Sequence, residues 1–224
     1  MLEAERFAIP SSLRWGKGEQ AIECYYTGRW SQGLALCDQL IAEAEAGSPH
    51  YLEGICRVLR AKMRFAQGAS VHADSDRALE LGRAIEDPQM LGSTLAWRAS
   101  LFLADGEKKQ ASRLADEALA ITPIFYAVVD LAFVLHDLGR GSEAAPWLRD
   151  YRGDPWRDAT LAIADGDFHR AAEILGAMGN VAEEAYARLR SGTEPDVRRA
   201  LEFYRSVGAT RNVAEGESML ARTA

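Results

Sequence analysis

This sequence is short of almost everything that catalysis or metal binding usually needs. Its three cysteines stand at Cys24, Cys37 and Cys56 with no CxxC spacing. An odd count without a framework favours free thiols in a reducing compartment over a set of paired disulfides. The four histidines (His50, His72, His136 and His169) are scattered, and none has a cysteine or serine at a telling distance. No HExxH, GxSxG or GxGxxG occurs. Gly16-Lys17-Gly18 lacks the leading glycine and the following Ser or Thr of a phosphate loop. The longest apolar run, IFYAVVDLAFVL at 124–135, is twelve residues and carries Asp130, too short to span a bilayer. Positive charge is scarce as well. Lys and Arg number 26 against 33 acidic residues, a net charge of -7 that argues against a grip on nucleic-acid phosphates. Only 4 of those bases are lysines, which reads as a coding preference. Glu3, Glu5 and Arg6 interrupt the start and no apolar stretch follows them, so no secretory leader is expected and the expected location is cytoplasmic.

What the chain does have is helical periodicity. Apolar residues recur at three- and four-residue spacing, as in Val128, Leu131, Ala132 and Leu135, and no sustained period-two alternation competes with it. Ala, Leu, Arg and Glu, all good helix formers, dominate the segments between regularly placed Gly and Pro breakers.

The breakers also mark a repeat. Taking Gly106 as origin, Ala111, Ala115 and Ala118 follow at offsets of five, nine and twelve. Gly139 is followed in the same way by Ala144, Leu148 and Tyr151, Gly166 by Ala171, Leu175 and Met178, and Gly28 by Gly33, Cys37 and Leu40. A small residue and then two apolar ones form one stripe on a helix, the small one where two helices cross closely. ADGEKKQASRLA at 104–115 and ADGDFHRAAEIL at 164–175 are two copies of this turn, so the Asp-Gly-Asp of the second reads as a helix boundary, with Asp167 as its cap. Gly106 and Gly139 stand 33 apart, and the array resembles tetratricopeptide repeats of 34 residues. Arg98 breaks the motif, since it falls where an apolar residue belongs. The resemblance implies an all-α, right-handed superhelical solenoid of about 12–14 helices. Residues 1–13 would lead in, 14–207 would form helix pairs near 14–47, 50–86, 88–121, 123–152, 154–178 and 180–207, and 208–224 would form a C-terminal capping helix.

In such arrays the first helix of each pair lines a concave groove. Carrying the register over nominates Tyr26, Trp97, Tyr126, Val129, Asp130, Phe133, His136 and Asp137 as partner-binding residues, with interdigitation between repeats as the competing role for the aromatics. Arg57, Arg60 and Arg64 share one helix face as a basic strip that could meet an acidic partner or pair with nearby acids. His72, Asp74 and Asp76 could be read as metal ligands, but Ser70 or the Asp-Ser-Asp group capping a helix is the simpler reading.

The C-terminal wording ALEFYRSVGATRNVAEGESML, residues 200–220, looks like the terminus of bacterial multidomain signalling proteins in which a class III adenylate/guanylate cyclase and an ATPase module precede a tetratricopeptide tail. Related tails occur in ATP-dependent transcriptional regulators. The resemblance implies a non-catalytic interaction or regulatory scaffold with no cofactor and no metal. Its partner would be a protein, a peptide or a neighbouring domain, with no nucleic acid and no membrane, and it would be a monomer or weak homo-oligomer. The alternative is a small-molecule or enzymatic pocket inside the superhelix, near Tyr126, His136 and Trp156; this would show as an enclosed cavity with convergent polar groups.

Overall fold

The computed structural model describes residues 10–123, 125–150 and 153–223, and among them every regular element is helical. Among these described residues thirteen α-helices follow one another. They are α1 (Pro10–Tyr26), α2 (Trp30–Glu45), α3 (Glu53–Ala66), α4 (His72–Ile85), α5 (Pro88–Ala104), α6 (Lys108–Leu119) and α7 (Phe125–Asp137), and then, after a 3-10 turn at Gly141–Glu143, α8 (Ala144–Trp147), α9 (Pro155–Ala164), α10 (Phe168–Ala177), α11 (Val181–Ser191), α12 (Glu194–Ser206) and α13 (Thr210–Thr223). No described helix is long and apolar enough to cross a membrane.

The breakers act as the sequence pattern requires. Gly28, Gly106, Gly139 and Gly166 all take positive φ, between 73° and 81°, the left-handed conformation that ends a helix and lets the next fold back. Pro88 and Pro155 open helices behind Asp87 and Asp154, whose carboxylates accept from the backbone N–H of Gln89 and Trp156. Asp167 likewise accepts from Arg170 N at 3.1 Å, and Phe168 packs into the core behind it. Ser70 and the Asp-Ser-Asp group do not cap α4. Val71 holds the cap position without a side-chain bond, because His72 reaches Asp105, Asp74 is claimed by Arg57 and Arg60, and Asp76 by Arg98. Arg98, out of place in the motif, is thereby neutralised and lies 4.2 Å over the Phe102 ring.

Small residues sit where the stripe requires them, with Ala111, Ala144 and Ala171 wholly buried. One hairpin departs from the pattern. After Gly139 the second helix is cut to the single turn of α8, with Pro146 inside it, although Ala144 and Leu148 keep their buried places.

Each helix packs on the next, except that α7 meets the 3-10 turn leading into α8, and odd-numbered helices also pack side by side, α1 on α3, α3 on α5, α5 on α7 and α7 on α9. The succession then returns to its beginning, with α11 resting on α1 and α13 on α3. Trp30 meets Phe203 edge-on at 5.6 Å, Thr210 Oγ1 donates to the Gln67 carbonyl at 3.0 Å, and Arg211 stacks over Phe65 at 3.8 Å. One hydrophobic core therefore holds Ala21, Leu40 and Met63 together with Leu189, Leu201 and Tyr204.

Candidate functional site

The returning helices border a partly open cavity of about 310 Å³ between the two ends of the chain. Its walls carry the aromatic rings of Tyr25 and Trp30, Phe65 and Trp97, and Phe133, Tyr186 and Tyr204, and its charged groups include Lys62, Asp130, Asp137, Glu183, Arg211 and Glu215.

The centre of the site is Lys62, in the middle of α3. Its stripe on that helix is otherwise apolar, with Val58 one turn before it and Ala66 one turn after, both buried. The ammonium Nζ donates to Asp130 Oδ1 at 2.7 Å and to Glu183 Oε1 at 2.9 Å. It also lies 5.0 Å from the ring centroid of Tyr25 and 5.9 Å from that of Trp97, within cation–π range of both. Tyr25 completes the group by donating its hydroxyl to Glu183 Oε1 at 2.8 Å. Thus α1, α3, α7 and α11 each send one polar side chain to a single point.

Burial sets the protonation of this group. It disfavours the charged forms, and on Lys62 it pulls the pKa down, but the carboxylates of Asp130 and Glu183 more than reverse that and hold the amine firmly as ammonium. On Asp130 burial is the stronger influence, pushing the carboxyl up to about 6 against the pull of Lys62 and with the repulsion of Glu183 added. Tyr25 is raised well above its ordinary value by burial and then by Glu183, so its hydroxyl remains a donor.

The nominated groove residues divide between cavity and core. Trp97, Asp130, Phe133 and Asp137 line the cavity, whose other walls come from α11–α13. Asp137 pairs with Arg190, at 3.1 Å for one of its oxygens. Val129 is a core residue, 2% exposed. His136 turns away onto the Phe168 ring at 4.8 Å, and Tyr26 packs between Tyr25 and Trp156. His136 and Trp156 therefore do not line the cavity, whose polar centre is Lys62. The Tyr126 side chain lies outside the described residues.

The arginine strip is not available as a basic surface. Arg57 is buried and bonds Glu45, Glu53 and Asp74; Arg60 bonds Asp38 and Asp74; Arg64 bonds Asp38. These pairs lock α3 to α2 and α4. The HADSD residues point to separate partners, and among the described residues no cluster of three His, Cys, Asp or Glu side chains is arranged to hold a metal ion.

Lys62 and Glu183 were not singled out from sequence. The available signal was a lysine on an apolar stripe in a chain that uses lysine rarely; Glu183, two residues into α11, gives no such sign because acids are common in first turns. No family model matches the chain, and neither a curated protein nor a solved structure matches it.

Proposed function

We propose that this chain is a non-catalytic binding domain of tetratricopeptide-like hairpins that takes a small molecule into the cavity at its centre. The observation that carries the reading is the buried Lys62–Asp130–Glu183 cluster, assembled from three distant helices inside an aromatic-walled space. Burying an ion cluster is costly, and apolar replacements of similar size are often neutral or stabilising, so a core of this kind is poorly explained by stability alone. Convergent polar groups in an apolar pocket are what ligand recognition uses. Binding is favoured over covalent catalysis because a lysine held as ammonium is not a nucleophile.

The regulatory role expected from the C-terminal wording fits this site. Tyr25 and Lys62 come from one end of the chain and Glu183, Tyr204 and Asn212 from the other, so an occupant would bridge both ends. In a longer signalling protein of the cyclase or ATPase type, occupancy would bias the closed arrangement to the extent that it binds that arrangement more tightly.

The test is a metabolite library screened by thermal shift against the wild-type chain and against Ser100→Trp, which fills the cavity from α5. Compounds that stabilise the wild type and not the filled variant support the reading. A library that yields none, or hits that bind both proteins alike, rejects it. A protein partner bound equally by both would favour docking on the outer surface.

A further inference from the structure

The charges around the cavity do not balance. On α3 there is Lys62; on α7, Asp130 and Asp137; on α11, Glu183 and Arg190; on α13, Arg211 and Glu215. The tyrosines Tyr25 and Tyr26 on α1, Tyr186 on α11 and Tyr204 on α12 face the same region, and burial keeps Tyr25, Tyr186 and Tyr204 neutral near pH 7. Among the described residues, four carboxylates therefore stand against three cations. Asp137 is matched by Arg190, and Arg211 and Glu215 stand one turn apart on the exposed face of α13. The unmatched charge falls on the deepest group, where Asp130 and Glu183 share one ammonium.

An unpaired negative charge in a buried place is relieved either by a proton or by a second cation. The surroundings suit the cation. The Lys62 ammonium already sits against the faces of Tyr25 and Trp97, and Phe65, Phe133, Tyr186 and Tyr204 present further rings to the same space. An anionic ligand would find Arg211 at the rim and then two carboxylates behind it. We propose that the cavity binds a small organic cation, a protonated amine with a compact apolar body, seated against Asp130 and Glu183 and the aromatic walls.

This rests on the reading of the cavity as a ligand site and adds the charge of the ligand. It also links binding to a proton. Burial holds the Asp130 carboxyl near 6, so below that pH the cluster is already neutral, and a bound cation must displace the proton. Amine affinity consequently falls as the pH drops through 6.

The experiment compares three probes of similar size by calorimetry on the full chain: 2-phenylethylammonium, 2-phenylethanol and phenylacetate. At pH 7.5 the ammonium is expected to bind at least about tenfold more tightly than the alcohol. That advantage should shrink by pH 5, and calorimetry at pH 6 in two buffers of different ionisation enthalpy should show proton release. Asp130→Asn should remove most of the advantage while leaving alcohol binding in place. Glu183→Gln makes the same test if the first variant does not fold, and the wild-type ranking stands without either. Equal or tighter binding of the alcohol or of phenylacetate overturns the inference while leaving the cavity reading intact. If none of the three binds at millimolar concentration, the inference is lost, and the library screen then decides whether the cavity reading goes with it.

Discussion

Lys62 is the residue on which the interior depends, and its loss is the sharpest single test. Lys62→Met leaves Asp130 and Glu183 facing each other without a counter-charge in a buried place. Breaking a buried pair in this way costs about 3–5 kcal/mol, to be read as a lowered urea midpoint at neutral pH. Adding Asp130→Asn and Glu183→Gln to that variant removes the stranded charges and should recover most of the loss. If the triple variant is no more stable than Lys62→Met alone, the electrostatic account of the cluster is wrong. A second consequence concerns pH. The unfolded Asp130 carboxyl titrates near 3.9 and the folded one near 6. Between these values the native state holds the extra proton, so this group's contribution to stability is largest below 4 and is lost as pH rises through 6. Asp130→Asn has no such titration. Urea midpoints at pH 4.5 and pH 7 should therefore shift in the variant's favour at the higher pH, and parallel profiles would contradict the assignment. This cluster could not be read from sequence because its partners lie 68 and 121 residues from Lys62. The one local sign, a lysine on an apolar stripe, fits equally a buried, doubly paired lysine and one that reaches solvent along its stem.

Helices and hairpins were far more accessible, since their causes are local. The stripe after each turn glycine needs only a 3.6-residue period, and Ala111, Ala144, Ala171 and Gly33 all fall in buried places. The fourth hairpin shows where that reasoning ends. Its stripe residues are kept, but Pro146 removes a donor and the chain makes a 3-10 turn and one helical turn in place of a full helix. That short path brings Gly141 against α9, where a Cβ would meet the Ala164 carbonyl oxygen. Backbone cannot yield as a side chain can, so Gly141→Ala should cost about 1–3 kcal/mol by overpacking in chemical denaturation. Asp167→Ala, which removes the cap of α10 at an exposed position, should cost about 1 kcal/mol. Were Gly141→Ala neutral, the close approach of the 3-10 turn to α9 would be in error.

The way the helices close on one another was beyond reach of the sequence, because closure depends on small rotations accumulated from hairpin to hairpin. Local periodicity predicts neighbours, and an open groove was the natural expectation. Instead α11 meets α1 and α13 meets α3, and Trp30 shares its ring contacts between Tyr25 of its own hairpin and Phe203 of α12. This changes how the molecule should unfold. In a linear array a lesion at one end is felt mainly by the adjoining repeats, since each repeat touches only its neighbours. Here a lesion in α2 strikes the core that α12 also uses. Trp30→Ala removes a side chain that is 4% exposed and whose indole N–H donates to the Tyr25 carbonyl at 3.0 Å. A loss of about 3–5 kcal/mol is expected. Hydrogen exchange should quicken in α11–α13 as much as in α1–α2, while α5 and α6, outside the shared core, change less. Exchange that rises in α1–α2 alone would mean that the two ends are only apposed. The cavity between them would then be a seam that opens without cost, and a ligand could not couple one end of the chain to the other.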